Sequence, residues 1–330
     1  MGKVTGLKSG NRNKSRRKIS NDLFDWNFII GVDKSNKKMK DKTVIITGCT
    51  SGLGKETAKR LAKKGAKVIM ACRRVDAANT IKEEIVKETE NSNVIVRKLD
   101  LASLQSIRNF AELINKEESR LDVLIHNAAT VQFLQNQITE DDLEITMATN
   151  HYGPFLLTHL LIDLLKQSQP SRIVIVSSVA YKFGLLNLNN PNPTNSFLPV
   201  RHYFTSKYEN LMFTLELARR LEGTGVVANC LHPGIIDTGI WRKSPNILYW
   251  IVKYIIIFPL GITLEEGTER IIYLAESEEI NGVSGKYFVK YYRHFAKNSL
   301  TTIIRNPDLS KRFWEISERL VKLQPTDPKI

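Results

Sequence analysis

Cysteine is scarce in this chain, and the three that it has, Cys49, Cys72 and Cys230, are scattered. Such sparse usage argues against the disulfide framework of a small secreted domain and favours a reducing compartment. None of the three stands in a spacing that is typical of metal ligands, so we expect no metal site.

Long apolar runs and signal-like segments are also missing. The most apolar stretch, residues 247–262, contains Lys253 and Pro259 and is shorter than the ~20 residues that cross a bilayer as a helix. No apolar core of a secretory signal stands near the start, and Gly6 occupies the position where a myristoylation signal has Ser or Thr. We therefore expect a cytoplasmic protein and leave peripheral contact with an intracellular membrane open.

Positive charge is distributed unevenly along the chain. The formal net charge is +14, and residues 1–42 contain 12 Lys or Arg against 4 Asp, whereas the remainder has 36 basic and 30 acidic residues. Residues 1–40 are predicted to be a basic, disordered leader, because they contain little that could be buried. A solubilising leader is favoured over attraction to nucleic acid, so we expect no nucleic-acid partner; attraction to anionic lipid stays open.

From residue 41 to the C-terminus, short apolar runs alternate with helix-like stretches. Six β-branched runs predict strands buried on both faces, at 43–47, 67–71, 94–98, 122–126, 172–177 and 226–231. Helices are predicted at 54–64, 77–90, 104–118, 140–167, 203–222 and 308–323, with a late strand at 285–289. This alternation predicts an α/β fold for residues 41–330, a single doubly wound Rossmann-type parallel sheet with helices on both faces.

A glycine-rich turn, T-G-C-T-S-G-L-G, follows the first predicted strand. It places Gly48, Gly52 and Gly54 between a strand and a helix. There the backbone can approach a pyrophosphate, and the helix N-terminus offers free N–H groups and a favourable dipole. Because the turn stands in this context, we predict a dinucleotide site rather than a turn without a ligand.

Two arginines, Arg73 and Arg74, follow the second predicted strand. An acid at this place would accept the adenosine ribose hydroxyls of NAD, whereas guanidinium groups suit a 2′-phosphate. The sequence therefore predicts NADP(H), with Lys55 assisting, although two arginines in a solvated loop would look the same.

The spacing Y-x-x-x-K occurs at Tyr203–Lys207 and at Tyr249–Lys253, and about one such pair is expected by chance, so context must decide. Only the first pair follows two serines, Ser177 and Ser178, that close a strand. An ammonium within ~4–6 Å stabilises a phenolate and lowers a tyrosine pKa of ~10. We predict that Tyr203 transfers the proton, that Lys207 lowers its pKa, and that one of the two serines orients the substrate oxygen.

In this order, the motifs resemble the short-chain dehydrogenase/reductase family. Stretches such as V-R-K-L-D-L-A-S-L-Q-S-I-R-N-F-A-E and L-A-R-R-L-E-G-T-G-V-V-A-N-C-L-H-P-G resemble its retinol-dehydrogenase-like branch. The resemblance implies that Asn150 supports a proton relay and that Ser178, not Ser177, is the catalytic serine. It also implies cofactor contacts at Gly48, Ser51, Gly52, Leu53, Gly54, Arg73, Arg74, Asp100, Asn127, Tyr203, Lys207, Pro233, Gly234 and Thr238.

The sequence departs from the family pattern at H-N-A-A, where the family has N-N-A-G, so His126 and Ala129 differ. The resemblance implies an NADP(H)-dependent oxidoreductase that interconverts a lipophilic aldehyde or ketone, such as retinal, with its alcohol. A steroid or general carbonyl reductase and a non-catalytic nucleotide-binding member remain alternatives. Residues 247–262 are interpreted as a substrate loop or lid, or else as a core helix. Substrate identity, direction, stereochemistry and oligomeric state stay open.

Overall fold

The computed structural model describes residues 38–237, 239, 245, 250, 261–291, 294–298 and 307–330. Within these residues eight strands form one sheet in the order β3-β2-β1-β4-β5-β6-β7-β8. They are β1 Thr43–Thr47, β2 Lys67–Cys72, β3 Val94–Lys98, β4 Val123–His126, β5 Ser171–Val176, β6 Val226–Leu231, β7 Tyr287–Tyr291 and β8 His294–Asn298. Strands β1 to β7 are parallel. The predicted doubly wound sheet is confirmed, and the antiparallel strand β8 extends it beyond what we predicted.

The helices connect these strands. They are α1 Gly52–Lys63, α2 Val75–Thr89, α3 Leu104–Glu117, α4 Ile145–Met147, α5 Gly153–Gln167, α6 Val200–Arg220, α7 Leu264–Glu276 and α8 Pro307–Leu320. Helix α7 was not predicted, although Thr263 and Glu266 form a capping box at its start, a signal that the sequence carries.

The single helix predicted over 140–167 is interrupted. Asp142 has a φ of 63°, which no right-handed helix accommodates. The Glu144 carboxylate instead caps α4 by accepting from the Met147 N–H at 2.9 Å. A π-helical turn, Ala148–Tyr152, then leads into α5. Such turns widen the backbone, and they are frequent at functional sites.

Alternation along the buried strands divides the core between two faces of the sheet. Ile45 packs into a cluster with residues of α3, α5, α6 and α8. Its neighbours Val44 and Ile46 pack into a second cluster with residues of α1, α2 and α7. Because successive side chains of a strand point to opposite faces, continuous apolar strands require helices on both sides.

The order of the strands reverses at β1, which lies between β2 and β4. Connections from these strands leave in opposite directions and open a crevice at their carboxyl ends, the usual ligand site of such sheets. In the described part of the chain, no helix combines the length and the apolar character needed to cross a membrane.

Candidate active site

A cavity of ≈ 500 Å³ lies at the carboxyl ends of the strands and extends from the glycine-rich turn to α6. It brings together most of the residues that we predicted to contact a cofactor or substrate. Its lining includes Gly48, Ser51, Gly52, Leu53, Gly54, Arg73, Arg74, Asp100, Asn127, Ser177, Ser178, Tyr203, Lys207, Pro233 and Gly234.

The glycine-rich turn forms one wall of this cavity. Gly48 has a φ of +76°, a conformation that favours glycine. A β-carbon at Gly54 would lie 2.2 Å from the Gly48 carbonyl oxygen, so only glycine fits there. Ser51 precedes α1 but its side chain makes no capping hydrogen bond. The first N–H groups of α1 are therefore free to bind a phosphate.

Asn127 fixes this turn to the end of β4. Its Nδ2 donates to the carbonyls of Thr47 at 2.9 Å and Gly48 at 3.1 Å. The Thr47 hydroxyl in return accepts from the backbone N–H groups of Asn127 and Ala128, both at 3.0 Å. Thr47 opens the T-G-x-x-x-G-x-G motif but was not among our predicted site residues.

The two departures from the family pattern are accommodated locally. Ala129 is not among the residues with positive φ, so its methyl group causes no backbone strain. His126 Nε2 lies 2.9 Å from the Thr158 hydroxyl oxygen, and burial lowers the pKa of His126 to about 3. His126 is therefore neutral and contacts α5 rather than the cavity.

Arg73 and Arg74 are exposed beside the cavity. Neither forms an ion pair with a carboxylate of the described residues, so both guanidinium groups can bind an anion there. Lys55, in contrast, forms an ion pair with Glu84 of α2 and does not line the cavity. Asp100 accepts from the Ala102 N–H at 3.0 Å, which fixes its carboxylate at the end of β3.

The two serines after β5 have different partners. The Ser177 hydroxyl is buried and donates to the Lys207 carbonyl at 3.0 Å. The Ser178 hydroxyl accepts from the Ala180 N–H at 3.2 Å and also forms a hydrogen bond with Tyr203. Ser178 is therefore the serine whose hydroxyl lies beside the tyrosine hydroxyl.

Tyr203 and Lys207 lie one turn apart on α6. The Lys207 ammonium donates to the Val176 carbonyl at 2.9 Å and lies 5.5 Å from the centre of the Tyr203 ring. Burial lowers the pKa of Lys207 to about 8. We expected Lys207 to lower the pKa of Tyr203. Instead burial has the larger effect and raises that pKa to about 12, while the hydrogen bond with Ser178 lowers it by less.

Asn150 lies in the π-helical turn, buried behind the cavity wall rather than lining it. Its side chain accepts from the Thr130 N–H at 2.8 Å and donates to the Thr130 carbonyl at 2.9 Å. It also donates to the Ser206 hydroxyl at 3.0 Å, and Ser206 donates to the Tyr203 carbonyl at 2.8 Å. Asn150 therefore connects Thr130, in the loop after β4, to the helix of Tyr203. Sequence reasoning missed Thr130, because no motif marks it.

The turn after β6 closes the opposite wall. Gly234 has a φ of +109°, and a β-carbon there would lie 2.2 Å from the Ile262 side chain. Pro233 precedes it at the cavity. Thr238 and the competing pair Tyr249–Lys253 lie outside the described residues, as does most of the predicted loop or lid at 247–262.

The chain is similar to known dehydrogenases over most of its length. A family model described as short chain dehydrogenase matches residues 42–246. Human retinol dehydrogenase 14 is 42% identical over 299 residues, which covers 86% of this chain and 88% of that protein. Mouse retinol dehydrogenase 12 is 38% identical over 298 residues, which covers 90% of this chain and 92% of that protein.

Solved structures agree with this fold. An uncharacterised protein from Mycobacterium paratuberculosis is 30% identical, with a TM-score of 0.68 over 87% of this chain and 95% of that one. A short chain dehydrogenase from Shigella flexneri, crystallised with NADP, has a TM-score of 0.61 at 22% identity and covers 76% of this chain and 98% of its own. At that identity the likeness shows the fold alone.

Proposed function

The chain belongs to the short-chain dehydrogenase/reductase family, in its retinol-dehydrogenase-like branch, and we propose that it interconverts a lipophilic aldehyde or ketone, such as retinal, with its alcohol by using NADP(H). One observation carries this proposal: Ser178, Tyr203 and Lys207 line the same cavity as the glycine-rich turn. The glycine-rich turn and the start of α1 form what we call the dinucleotide cradle. A cavity that contains both this cradle and a proton donor is suited to hydride transfer to a carbonyl.

The lining of the cavity fits a dinucleotide with an extra phosphate. The glycine-rich turn and the uncapped start of α1 would hold the pyrophosphate, and Asp100 would contact the adenine end. Arg73 and Arg74 would hold the 2′-phosphate, because guanidinium groups bind phosphate oxygens in pairs. When bound, NADPH supplies the hydride. Thr238 is proposed as a further cofactor contact from the sequence alone.

The remaining residues would manage the proton. Ser178 would donate a hydrogen bond to the substrate oxygen, and Tyr203 would protonate that oxygen as it gains negative charge. Loss of the proton leaves a phenolate, which the nearby Lys207 ammonium would stabilise. Asn150 would act on this proton path through Ser206, and a water at the π-helical turn would link Lys207 to solvent.

A group of exposed apolar side chains supports a lipophilic substrate and contact with a membrane. We call it the apolar rim; it consists of Leu134, Ile138, Phe183, Leu185, Phe197 and Leu198, and Phe197 is 98% exposed. All six lie in the connections after β4 and β5, on the side of the sheet where the cavity opens. Mutual hydrogen bonds between Asn136 and Ser196 join the two connections. Exposed apolar surface of this kind marks interaction sites.

The charges around the apolar rim suit an anionic lipid surface. The connection after β5 contains no Asp or Glu, whereas the connection after β4 contains none as far as Thr139 and then has Glu140, Asp141 and Asp142 at its far end. Lys182, in the connection after β5, and Arg201, at the start of α6, are exposed. Apolar side chains flanked by cations bind the interface of an anionic bilayer. We propose that the protein is cytoplasmic and binds an intracellular membrane peripherally through this surface.

Purified protein incubated with NADPH and retinaldehyde, beside a panel of apolar ketones, tests the catalytic proposal. Tyr203→Phe should lower kcat by roughly 10²- to 10⁴-fold, the usual contribution of a general acid. Tyr208→Phe removes a hydroxyl from the same helix and should leave kcat unchanged. An unaffected Tyr203→Phe variant contradicts the assignment of the acid. NADPH binding without turnover of any carbonyl favours a non-catalytic member of the family.

Flotation with phosphatidylserine-containing vesicles tests the membrane contact. Phe197→Asp should reduce the bound fraction of the full chain, because it places a carboxylate in the rim. Leu113→Asp is the matched control, since Leu113 is an exposed leucine of α3 outside the rim. The basic leader contributes equally to both variants. If the two variants bind vesicles equally, the apolar rim is not the membrane contact.

A further inference from the structure

Two of the three cysteines meet at the glycine-rich turn. Cys49 follows β1 by two residues, and Cys72 ends the neighbouring strand β2. The Cys49 N–H donates to the Cys72 sulfur at 3.3 Å. The Cys49 thiol lies within hydrogen-bond distance of both the Ile46 carbonyl, at 3.1 Å, and the Cys72 sulfur. Parallel pairing of the two strands thus places two free thiols side by side, 23 residues apart in the chain.

The two sulfurs have unlike environments. The Cys49 thiol, followed by the backbone N–H groups of Cys49 and Gly48 and by Arg74, lowers the pKa of Cys72 despite its burial. Burial and the neighbouring Cys72 raise the pKa of Cys49 well above its usual value. Thiolates are the nucleophiles in thiol oxidation. Cys72 is therefore suited to attack an oxidant, and Cys49 is placed to react with the oxidised Cys72 because its thiol lies beside the Cys72 sulfur.

Access also differs between the cysteines. Cys72 lines the cavity between the glycine-rich turn and Arg73, whereas Cys49 lies behind it. Cys230 lies in β6 and does not line the cavity, and burial raises its pKa to about 12. A small oxidant that enters the cavity therefore meets Cys72 first, and Cys230 provides an internal control.

We propose that Cys49 and Cys72 are a reversible redox site, in which a peroxide joins them as a disulfide that closes the dinucleotide cradle. The Cys72 thiolate attacks a peroxide oxygen, the O–O bond breaks, and Cys72 becomes a sulfenic acid while the leaving hydroxide is protonated to water. The Cys49 thiol then gives up its proton and attacks the Cys72 sulfur. The S–O bond breaks, the second water leaves, and the S–S bond forms. Two thiols are oxidised, and one hydrogen peroxide is reduced to two waters.

The disulfide would act on cofactor binding through the turn. An S–S bond is ~2.05 Å long, so the two sulfurs must move together from hydrogen-bond distance. Cys49 lies between Gly48 and Ser51, both at the cavity, and the movement shifts their N–H groups away from a bound phosphate. A dinucleotide in the cradle in turn covers Cys72. Binding and oxidation therefore oppose each other by the same factor. This inference rests on the proposed dinucleotide site.

The test treats the reduced full chain with hydrogen peroxide, blocks free thiols with N-ethylmaleimide, and maps disulfides by mass spectrometry. We expect a Cys49–Cys72 disulfide with Cys230 alkylated. We also expect an NADPH affinity at least tenfold weaker, restored by dithiothreitol, and slower oxidation when NADP⁺ is bound. A disulfide that leaves NADPH affinity unchanged, or that involves Cys230 or a second chain, overturns the proposal.

Variants are each compared with their own reduced state. Cys49→Ser should form no internal disulfide and should accumulate a Cys72 sulfenic acid that dimedone traps. Cys230→Ser should respond to peroxide as the natural chain does. Reduced protein that does not bind NADPH at all contradicts the proposed function rather than the thiol chemistry, because disulfide mapping reads the pair independently of cofactor binding.

Discussion

The Lys207 ammonium lies 5.5 Å from the centre of the Tyr203 ring, in a site buried enough to lower the pKa of one group and raise that of the other. The pKa of Lys207 is about 8, so Lys207 keeps its positive charge at physiological pH, and Tyr203 keeps its proton. A buried, protonated tyrosine beside a cation is suited to donate its proton, because the phenolate that remains lies next to a positive charge.

The pH dependence of carbonyl reduction should reflect Lys207. Its pKa of about 8 means that the ammonium is present below that pH and is lost above it. We expect kcat/KM for NADPH-dependent reduction to fall about tenfold for each pH unit above about 8. Steady-state rates from pH 6 to 10 measure this. Lys55→Met, which removes a lysine paired with Glu84 outside the cavity, should keep the same profile; a flat profile to pH 10 contradicts the role of Lys207.

Replacing Lys207 should stabilise the fold while abolishing activity. Burial lowers its pKa from an ordinary 10.5 to about 8, so keeping its proton in the folded state costs roughly 3 kcal/mol. Lys207→Met removes that cost but also the hydrogen bond to Val176. We expect a net gain of about 1–3 kcal/mol in the free energy of unfolding at pH 7.

The stability gained by Lys207→Met should depend on pH. Between about pH 8 and 10.5 the unfolded chain holds the Lys207 proton and the folded chain does not, so the natural protein gains stability as pH rises. The advantage of Lys207→Met should therefore shrink from pH 7 to pH 10 in urea unfolding. An advantage that stays constant would indicate improved packing instead.

Cofactor selectivity should depend on the two arginines at the end of β2. Arg73→Ala and Arg74→Ala each remove a guanidinium beside the cavity. We expect the KM for NADPH to rise by roughly 10- to 100-fold, the value of a charge-assisted hydrogen bond. The KM for NADH, which lacks the 2′-phosphate, should change little. An equal rise in the KM for NADPH and for NADH would mean that the arginines stabilise the loop and do not bind the 2′-phosphate.

The glycine-rich turn should not tolerate a side chain at Gly54. The β-carbon of Gly54→Ala would lie 2.2 Å from the Gly48 carbonyl and 2.5 Å from Asn127 Nδ2. We expect NADPH affinity to fall at least tenfold, measured by fluorescence titration. Gly282→Ala is the control: its β-carbon meets nothing within 4 Å, although its φ of +70° is strained. It should cost about 1 kcal/mol of stability without changing NADPH affinity.

Strand positions were readable from the sequence because the apolar runs are short, β-branched and regularly spaced. The predicted 43–47 and 94–98 agree with β1 and β3 at both ends. The predicted helix over 140–167 was wrong at its start. Periodicity does not reveal a left-handed residue such as Asp142, and it does not distinguish a π-helical turn from an α-helix.

The sequence predicts the candidate site where a local motif identifies the residue. It predicts less where a property depends on side chains that are distant in the chain. Gly48, Tyr203 and Lys207 stand in local motifs, and the structure brings them to one cavity. The high pKa of Tyr203 was not foreseen, because burial results from the packing of distant segments. For the same reason nothing in the sequence indicates that Cys49 and Cys72 meet.

The Asn150 amide binds both Thr130, in the loop after β4, and Ser206 on the helix of Tyr203. The two walls of the site are thereby fixed to each other by folding alone. The orientational entropy of aligning Tyr203, the proposed acid, is then lost once, when the chain folds, and not again in each turnover. Substrates should accordingly differ in rate by how they fit the cavity mouth, while the alignment of Tyr203 stays the same for all of them.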